Sequence, residues 1–596
     1  MRNISKNIVL VILMLSCYVA EAQEKKSVVT QNVNVVKNYV PIVGKATKMN
    51  FNPLDEAPIN IDLSALNYNI LYRSEPYMPS INSLSIPHYE RSSFYDLYSG
   101  YADLMLGLPL QSRANVFYTT KTKRDVIMGA SFSNDGYYGK IKNDYGEKTS
   151  GLNVSNSISA MLKYRVNRLE IDLDAMFKYH NLNRYGYSKP FGQEFSKVQY
   201  EDLQSSLNKW YLRGYANISI GVPQSEETLF SGKFRGFFSF IEDSEKYKER
   251  ITHASIDISS RLLKEHHRIF LDYEYMILIA GKTMVKMSPI NNPSHGLNES
   301  STLPEAEIGD RIKNYSTMFI NPMYQFTYDV LDIKLGAKMV FGVGNKWYGQ
   351  KKGNINPVLK VQAQLLKGAI VPYFDLDGQY EYNNYYNLSQ KNPFVENGLT
   401  APNTNTNSLS IGFKGSVLSK LLYNIHVGGE MKKDMVTFVN NKYGNTFVTA
   451  VSDYNNFICG AEFEYSIIPQ FSLGGAYLYT KYEDKKAQER ENQVFGLPAH
   501  KVNFRAQYKY RKKFVALLNV DFQSKRDGAT LYDDQTVLSF NEMPSCADVS
   551  LHGFYHFNNR IGFKGELNNI FNQKLYKYNY YQGIGFNILL GVSYKF

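Results

Sequence analysis

The amino-acid sequence predicts an all-β protein, a transmembrane antiparallel β-barrel of the outer-membrane type with about 22 strands. Three observations lead to this prediction. Apolar and polar residues alternate with a period of two from about residue 95 to the end, which places one set on each face of a strand. Short turns alternate with long polar loops along the same region. No apolar run after residue 22 approaches the ~18 residues that a spanning helix needs.

The last strand shows the alternation most clearly. One parity carries almost only apolar side chains: Phe586, Ile588, Leu590, Val592, Tyr594 and Phe596. The other parity is small or polar apart from Leu589: Gly585, Asn587, Gly591, Ser593 and Lys595. A strand of this length, with an apolar face toward lipid and a polar face toward the lumen, is typical of a barrel wall.

The same alternation recurs upstream, for example over Leu169–Tyr179, Leu331–Met339 and Val502–Tyr510. Charged residues fill the polar face of these strands, which favours a water-filled lumen over a soluble β-sandwich. Tight turns are predicted near residues 166–168, 264–267, 329–331, 367–369, 419–421, 468–470, 509–513 and 557–560. Long loops are predicted at 186–205, 280–312, 342–356, 383–407, 438–453, 481–498 and 524–541. Such long loops face the outside of the cell.

Composition agrees with a membrane barrel. The chain has 596 residues, of which 48 are Tyr, 35 Phe and only 2 Trp. A soluble chain of this length would be expected to divide into several domains, whereas a barrel wall needs no central core. Abundant Tyr suits the aromatic girdles at the two membrane interfaces.

Three segments are expected along the chain. Residues 1–22 read as a signal peptide that ends at the Ala20–Ala22 cleavage motif, with a lipoprotein signal at Cys17 as the alternative. Residues 23–93 are rich in Asn, Pro and Ser and are expected to form a periplasmic or lumenal segment. Residues 94–596 form the predicted barrel. Within it, Cys459 shares parity with lipid-facing residues and Cys546 with lumenal ones, so both are expected to be unpaired.

The sequence contains no motif for catalysis, for a cofactor or for a metal. His552 and His556 share the lumenal face but lie ~13 Å apart along a strand. His266 and His267 are expected to be solvated in a turn. Basic residues are dispersed, although the formal net charge is +12, so nucleic acid is not an expected partner. The aromatic and amide residues at 380–386 and 403–407 could bind sugars, but solvated loop tips are the preferred interpretation.

The C-terminal motif resembles that of a known family. The segment Leu567–Gln573 is followed by Tyr576, Gly583 and the closing Gly591, Tyr594 and Phe596. This pattern resembles the end of TonB-dependent receptor barrels. The resemblance implies that Gly591, Tyr594 and Phe596 carry the signal that the outer-membrane insertion machinery reads, and that the protein lies in the outer membrane of a Gram-negative cell.

An upstream segment, Val36–Asn50, resembles the N-terminal signature of a branch of these receptor-like proteins that lacks the plug domain; an unstructured leader is the alternative. Residues 23–93 are too few for the usual plug. The resemblance therefore implies either a transport or export channel, occluded by its loops, its N-terminal segment or a partner, or a non-transporting structural subunit of an envelope assembly. Expected partners are membrane lipids, lipopolysaccharide, the insertion machinery and a periplasmic or lipoprotein partner. Neither a cofactor nor an enzymatic activity is expected.

Overall fold

The structure is a computed structural model of the chain. It describes residues 99–596 except 121–125, 143–147, 187–206, 223–229, 262–266, 281–289, 292–314, 344–352, 419, 442–443, 485–493, 512 and 532–537. The predicted segments at residues 1–22 and 23–93 lie outside this range. No helix in the described part of the chain is both long and apolar enough to cross a membrane.

Twenty-two strands form one closed antiparallel barrel, which confirms the predicted fold class. The first eleven are β1 Gly100–Leu108, β2 Gln111–Thr119, β3 Val126–Tyr137, β4 Asn153–Val166, β5 Leu169–Asn183, β6 Asn208–Val222, β7 Phe230–Asp243, β8 Lys248–Arg261, β9 His267–Ala280, β10 Tyr315–Tyr328 and β11 Leu331–Val343. The others are β12 Gly353–Ala363, β13 Val371–Glu381, β14 Thr404–Val417, β15 Leu421–Asn440, β16 Phe447–Ile468, β17 Phe471–Asp484, β18 His500–Tyr510, β19 Phe514–Gln523, β20 Cys546–His556, β21 Ile561–Asn568 and β22 Asn587–Lys595.

The barrel closes where β1 pairs with β22, from Tyr101 opposite Lys595 to Leu108 opposite Ile588. Beyond the last paired strand residue, the backbones of Gly100 and Phe596 exchange two hydrogen bonds of 2.8 and 3.0 Å. Closure removes both sheet edges, so every wall strand has a partner on each side.

The two faces of the wall follow the predicted parity. On β22 the side chain of Leu590 is 66% exposed on the outside, whereas that of its neighbour Leu589 is 2% exposed. Lumenal charges are paired across strands: Arg113 donates two hydrogen bonds to Glu566, of 2.8 and 2.9 Å. A charge inside a barrel is stabilised by such direct pairing together with contact with lumenal water.

Most short turns lie at one end and the long loops at the other, as predicted; the turns 109–110 and 244–247 are exceptions at the long-loop end. The turns at residues 167–168, 329–330 and 469–470 join wall strands on one rim. Asn167 and Asp329 adopt positive φ values of 52° and 50° there, a conformation that Asn and Asp tolerate better than most residues. The C-terminal Phe596 lies on the same rim, which the topology predicted from the sequence would place on the periplasmic side.

Two expectations are wrong. The loop predicted at 438–453 is mostly strand: β15 has 20 residues, β16 has 22, and only 441–446 connect them. At ~3.4 Å per residue this hairpin is much longer than the ~30 Å hydrocarbon layer. A β-bulge between Lys432 and Met435, with Asp434 at φ 53°, interrupts the ladder. His267 is not in a solvated turn: it begins β9 and contacts the Tyr324 hydroxyl at 2.5 Å.

The remaining described elements are small. They comprise the helix α1 (Tyr385–Lys391), a 3-10 turn (Leu366–Gly368), the strand Ile290–Asn291, and three hairpins: Lys140–Lys142 with Lys148–Ser150, Arg526–Leu531 with Leu538–Met543, and Tyr576–Tyr578 with Tyr581–Gln582. Cys459 and Cys546 are both free, as predicted.

Candidate functional site

Three segments from the long-loop end pack together inside the mouth of the barrel, and we call them the cap. The first is residues 382–403, which join β13 to β14 and contain α1. The second is residues 435–452, the end of the β15–β16 hairpin beyond the bulge. The third is residues 569–586, which join β21 to β22. Because the first and third are connections between wall strands, the cap belongs to the barrel chain itself.

The cap shares one hydrophobic core with the wall. Its fully buried members are Leu182, Tyr211, Ile241, Tyr247, Tyr385, Leu388, Phe394, Val395, Leu399, Ala401, Phe447, Val451 and Tyr581. They come from three sectors of the ring, at β5–β8, β13–β16 and β21–β22. These sectors divide the 22 strands into nearly equal thirds, so the side chains meet from three directions.

Glu249 of β8 fixes the N-terminus of α1. Its carboxyl oxygens accept hydrogen bonds from the backbone N–H groups of Tyr385 and Tyr386, each at 3.1 Å, and from the side-chain amide of Asn384 at 2.8 Å. The Tyr385 hydroxyl donates to Asp243 of β7 at 2.6 Å. The first N–H groups of a helix have no partner within the helix, so a wall carboxyl supplies the acceptor that they need.

The lumenal face of β6 holds the last turn of the same helix and the residues that follow it. Lys209, Tyr211 and Arg213 alternate along the strand and all point inward. Lys209 donates to the carbonyl of Val395 at 2.6 Å, Tyr211 to that of Pro393 at 2.7 Å, and Arg213 to that of Ser389 at 3.0 Å. Donors and cations are favourable at the carbonyl end of a helix. Acceptors at one end and donors at the other therefore fix the direction of α1 on the wall.

Tyr581 joins the third segment to the first two. Its ring stacks on that of Phe394 with centroids 3.8 Å apart and lies 4.9 Å from the Tyr185 ring. Its hydroxyl donates to the carbonyl of Asn445 at 2.6 Å. The nearby Tyr578 hydroxyl donates to the carbonyl of Lys391 at 2.7 Å, and burial raises the pKa of Tyr578. The third cap segment is thus joined to the first by aromatic packing and a hydrogen bond, and to the second by a hydrogen bond.

The amide-rich residues that the sequence offered for sugar binding have a structural role. Asn383 is fully buried, and its side chain donates to the carbonyl of Pro402 at 2.6 Å. Its backbone N–H donates to the side chain of Asn403 at 3.0 Å. The preferred interpretation, a solvated loop tip, is therefore also wrong for these residues. Their amides close the loop that carries α1.

The predicted assembly residues Gly591, Tyr594 and Phe596 lie on β22 and at its end, at the seam and away from the cap. A Cβ atom on Gly591 would lie 2.4 Å from the carbonyl oxygen of Leu104, so only glycine allows the close approach of β1. The rings of Tyr594 and Phe596 stack at 6.0 Å. Their role as an insertion signal stays a prediction.

Metal chemistry finds no support in the part of the chain that the structure describes: no group of three or more His, Cys, Asp or Glu residues is placed to hold an ion. His552 instead contacts the Asn568 side chain at 3.2 Å.

Sequence reasoning missed the residues that build the cap. The inward set Lys209, Tyr211 and Arg213 has the period of any wall strand, and Glu249 looks like any other lumenal carboxylate. The predicted loop 383–407 contains the short helix Tyr385–Lys391. Recognising a helix in this loop would have been the one signal that the loop is structured.

Comparisons with known proteins agree on the fold. No family model matches the chain, and no curated protein matches it. Among solved structures, it is similar to the FrpB iron transporter from Neisseria meningitidis (TM-score 0.63, 12% identity, 84% of this chain and 82% of that chain). It is also similar to the pyoverdine receptor FpvA from Pseudomonas aeruginosa PAO1 (0.61, 11%, 84% and 79%). A third similar structure is the ferric enterobactin receptor PfeA from Pseudomonas aeruginosa, with a TM-score of 0.60 and 10% identity over 83% of this chain and 80% of that chain. The chain therefore has the fold of the TonB-dependent receptors, a closed barrel of 22 strands.

Proposed function

We propose that this protein is a transport or export channel for a small solute, and that its own loops, acting as the cap, close its extracellular mouth. The observation that carries the proposal is the single hydrophobic core in which the three cap segments pack against one another and against wall residues of β5–β8. A barrel of 22 strands is wide enough to conduct solutes unless something fills it. The cap supplies such a filling from within the barrel chain.

The cap is suited to opening and closing as a unit. Apart from the chain connections at their ends, the first and third cap segments are held on the wall only by hydrogen bonds and by the small hydrophobic core. Segments held by such contacts open at a lower free energy than the ladder of the wall itself. A solute or a periplasmic or lipoprotein partner that bound the open cap more tightly would shift the equilibrium toward conduction.

Single-channel conductance in planar bilayers tests the proposal. The test variant is Phe394→Ala combined with Tyr581→Ala, which removes the stacked pair at the centre of the cap. The matched control is Phe571→Ala combined with Phe586→Ala, which truncates two exposed aromatic residues of the same β21–β22 connection. Sensitivity of intact cells to vancomycin, which is too large for most pores, provides the second measurement.

We expect the wild type and the control to show no steady large pore, and the test variant to conduct and to sensitise cells. A large, steady open pore in the wild type would contradict the proposal, because the cap would then not close the barrel. Unchanged conductance in a correctly folded test variant would also contradict it. The barrel would then be better explained as a structural subunit of an envelope assembly.

A further inference from the structure

A cavity of about 330 Å³ lies between the cap and the wall strands β13–β18. Its volume is within the range of small-molecule pockets. The wall side is polar, with Thr404, Thr406, Asn456 and Thr480 among its residues. Aromatic side chains line the other side: Phe438 and Phe447 of the cap, with Phe495 of the β17–β18 connection. A molecule that fills this cavity must therefore present a polar group on one side and an apolar body on the other.

Positive charge predominates in the lining. Four described lining residues are lysines and two are glutamates. Glu381 forms an ion pair with Lys391, and Glu430 forms one with Lys432 at 2.9 Å. Lys501 lies near two other cations and interacts electrostatically with them: Lys432, also in the lining, and Arg526. The carboxylates of the lining are thus each engaged by a lysine, and the cavity as a whole keeps an excess of positive charge.

Lys577 stands on the cap side of this cavity. Its ammonium nitrogen lies 5.6 Å from the centroid of the Tyr578 ring, and no carboxylate in the described part of the chain forms an ion pair with it. Burial lowers the pKa of Lys577 to about 8. An ammonium group that is partly withdrawn from water without a counter-charge is costly, and an anion in the cavity would offset that cost.

We propose that the cavity binds a small organic anion, one whose carboxylate or phosphate oxygens contact Lys577 and Lys501 and whose apolar body packs against the cap aromatics. The inference rests on the proposed function, because it names the chemical class of the solute that the channel carries. Charge selects the anion, and the aromatic side selects against inorganic ions. Binding at this place also links the wall to the cap, since Lys501 is on β18 and Lys577 is on the β21–β22 connection.

Isothermal titration calorimetry on the full-length protein in detergent tests the proposal without measuring transport. Benzoate and phenyl phosphate are the anionic probes and distinguish carboxylate from phosphate recognition. Benzamide and benzylamine are the neutral and cationic controls of similar shape. We expect at least one anion to bind, and both controls to bind at least about tenfold more weakly, as hydrogen bonds to charged groups imply.

Substitutions of single lysine residues test whether the anion binds in this cavity. Lys577→Met is expected to weaken anion binding about tenfold or more. Lys577→Arg, which keeps the charge, is expected to retain binding. Lys525→Met is the matched control, because Lys525 is 71% exposed and pairs with Glu542 outside the cavity lining.

Proton uptake gives an independent measurement. At pH 8 Lys577 is about half protonated, and a bound anion raises its pKa, so binding takes up part of a proton. Titrations in two buffers of different ionisation enthalpy should reveal this uptake in the wild type and its loss in Lys577→Arg, since arginine does not titrate there. Equal binding of benzamide and benzoate, or anion binding that is unchanged in Lys577→Met, would overturn the proposal. Absence of proton uptake in the wild type would overturn it even if Lys577→Met failed to fold. Anion binding can fail while the conductance test of the cap succeeds, so the two proposals are separable.

Discussion

The ring of Phe394 stacks on that of Tyr581 with centroids 3.8 Å apart, although the two residues belong to connections on different sectors of the barrel. Phe394 follows α1 in the β13–β14 connection, and Tyr581 lies in the β21–β22 connection. This contact crosses the mouth of the barrel and links segments that the wall itself holds apart. The stability of the cap should therefore depend on it.

Phe394→Ala is expected to loosen the whole cap while leaving the wall intact. Truncating a buried Phe costs about 3–5 kcal/mol, and the cost falls on the segment that opens first. Hydrogen exchange should accelerate in residues 382–403 and 569–586 but not in β1 or β22. Phe571→Ala, at an exposed position in the same connection, should leave exchange unchanged. Acceleration confined to 382–403 would show that the two connections open independently.

Replacing Glu249 should release the N-terminus of α1. Glu249→Gln keeps one acceptor oxygen but presents an amide N–H₂ group toward backbone donors, so at least one of the three hydrogen bonds is lost. A hydrogen bond to a charged group is worth about 1.5–3 kcal/mol, so amide exchange over Tyr385–Lys391 should accelerate by tenfold or more. Glu242→Gln, at a neighbouring position that pairs with Lys248, is the control. Equal protection of the helix in both variants would contradict this role.

The closed cap should become more stable as the pH rises above 8. Burial holds the pKa of Lys577 at about 8, whereas a solvated lysine has a pKa of about 10.4. Between these values the opened cap binds more protons than the closed cap, so the free energy of opening increases with pH. Exchange of the 569–586 segment, corrected for the intrinsic pH dependence, measures this. Lys577→Met should remove the dependence, and a wild-type slope of opposite sign would contradict the prediction.

The seam should fail if Gly591 acquires a side chain. A Cβ atom there would lie 2.4 Å from both the Leu104 carbonyl oxygen and the Cγ atom of Met105, so β1 must move away from β22. We expect Gly591→Val to reduce sharply the amount of folded, heat-modifiable barrel in the outer membrane. Gly565→Val is the control, because its nearest contact would be 3.5 Å.

Deletion of Phe596 tests the proposed insertion signal at the same seam. The Phe596 ring covers Gly100 and stacks on Tyr118 at 6.4 Å. Deletion should lower outer-membrane levels with an unchanged transcript, and Phe596→Tyr should preserve them. Normal levels after deletion would remove the signal role.

The assignment of the two rims can be checked by labelling cysteines in intact cells with a membrane-impermeant maleimide. Lys142→Cys, at an exposed position in the β3–β4 connection, should react with the maleimide. Arg168→Cys, in the β4–β5 turn, should not react. Positions in the first cap segment are poor reporters, because Asn383, Tyr385 and Val395 are fully buried. The reverse pattern would invert the barrel in the membrane.

The wall of the barrel could be derived from the amino-acid sequence alone. Alternation along a strand is a local property, so the outward Leu590 and the inward Leu589 could be assigned from parity, and the turn at Asn167 from its length and composition. The strand number followed from counting hairpins. The length of β15 and β16 could not be predicted from the sequence. Residues 438–453 were expected to form a polar loop, whereas both strands continue beyond the membrane into this segment.

The segments that fill the mouth of the barrel could be identified only from contacts between residues far apart in the chain. Glu249, Lys209 and Arg213 have the parity of ordinary lumenal residues, and their partners on α1 or just after it lie more than a hundred residues away in the chain. Phe394 and Tyr581 become neighbours only because closure of the ring brings three sectors of the wall toward one axis. A period of two specifies which face of the wall a side chain occupies. Which residue it meets across the lumen depends on the curvature of the whole barrel. No local sequence pattern encodes the distance between two such residues.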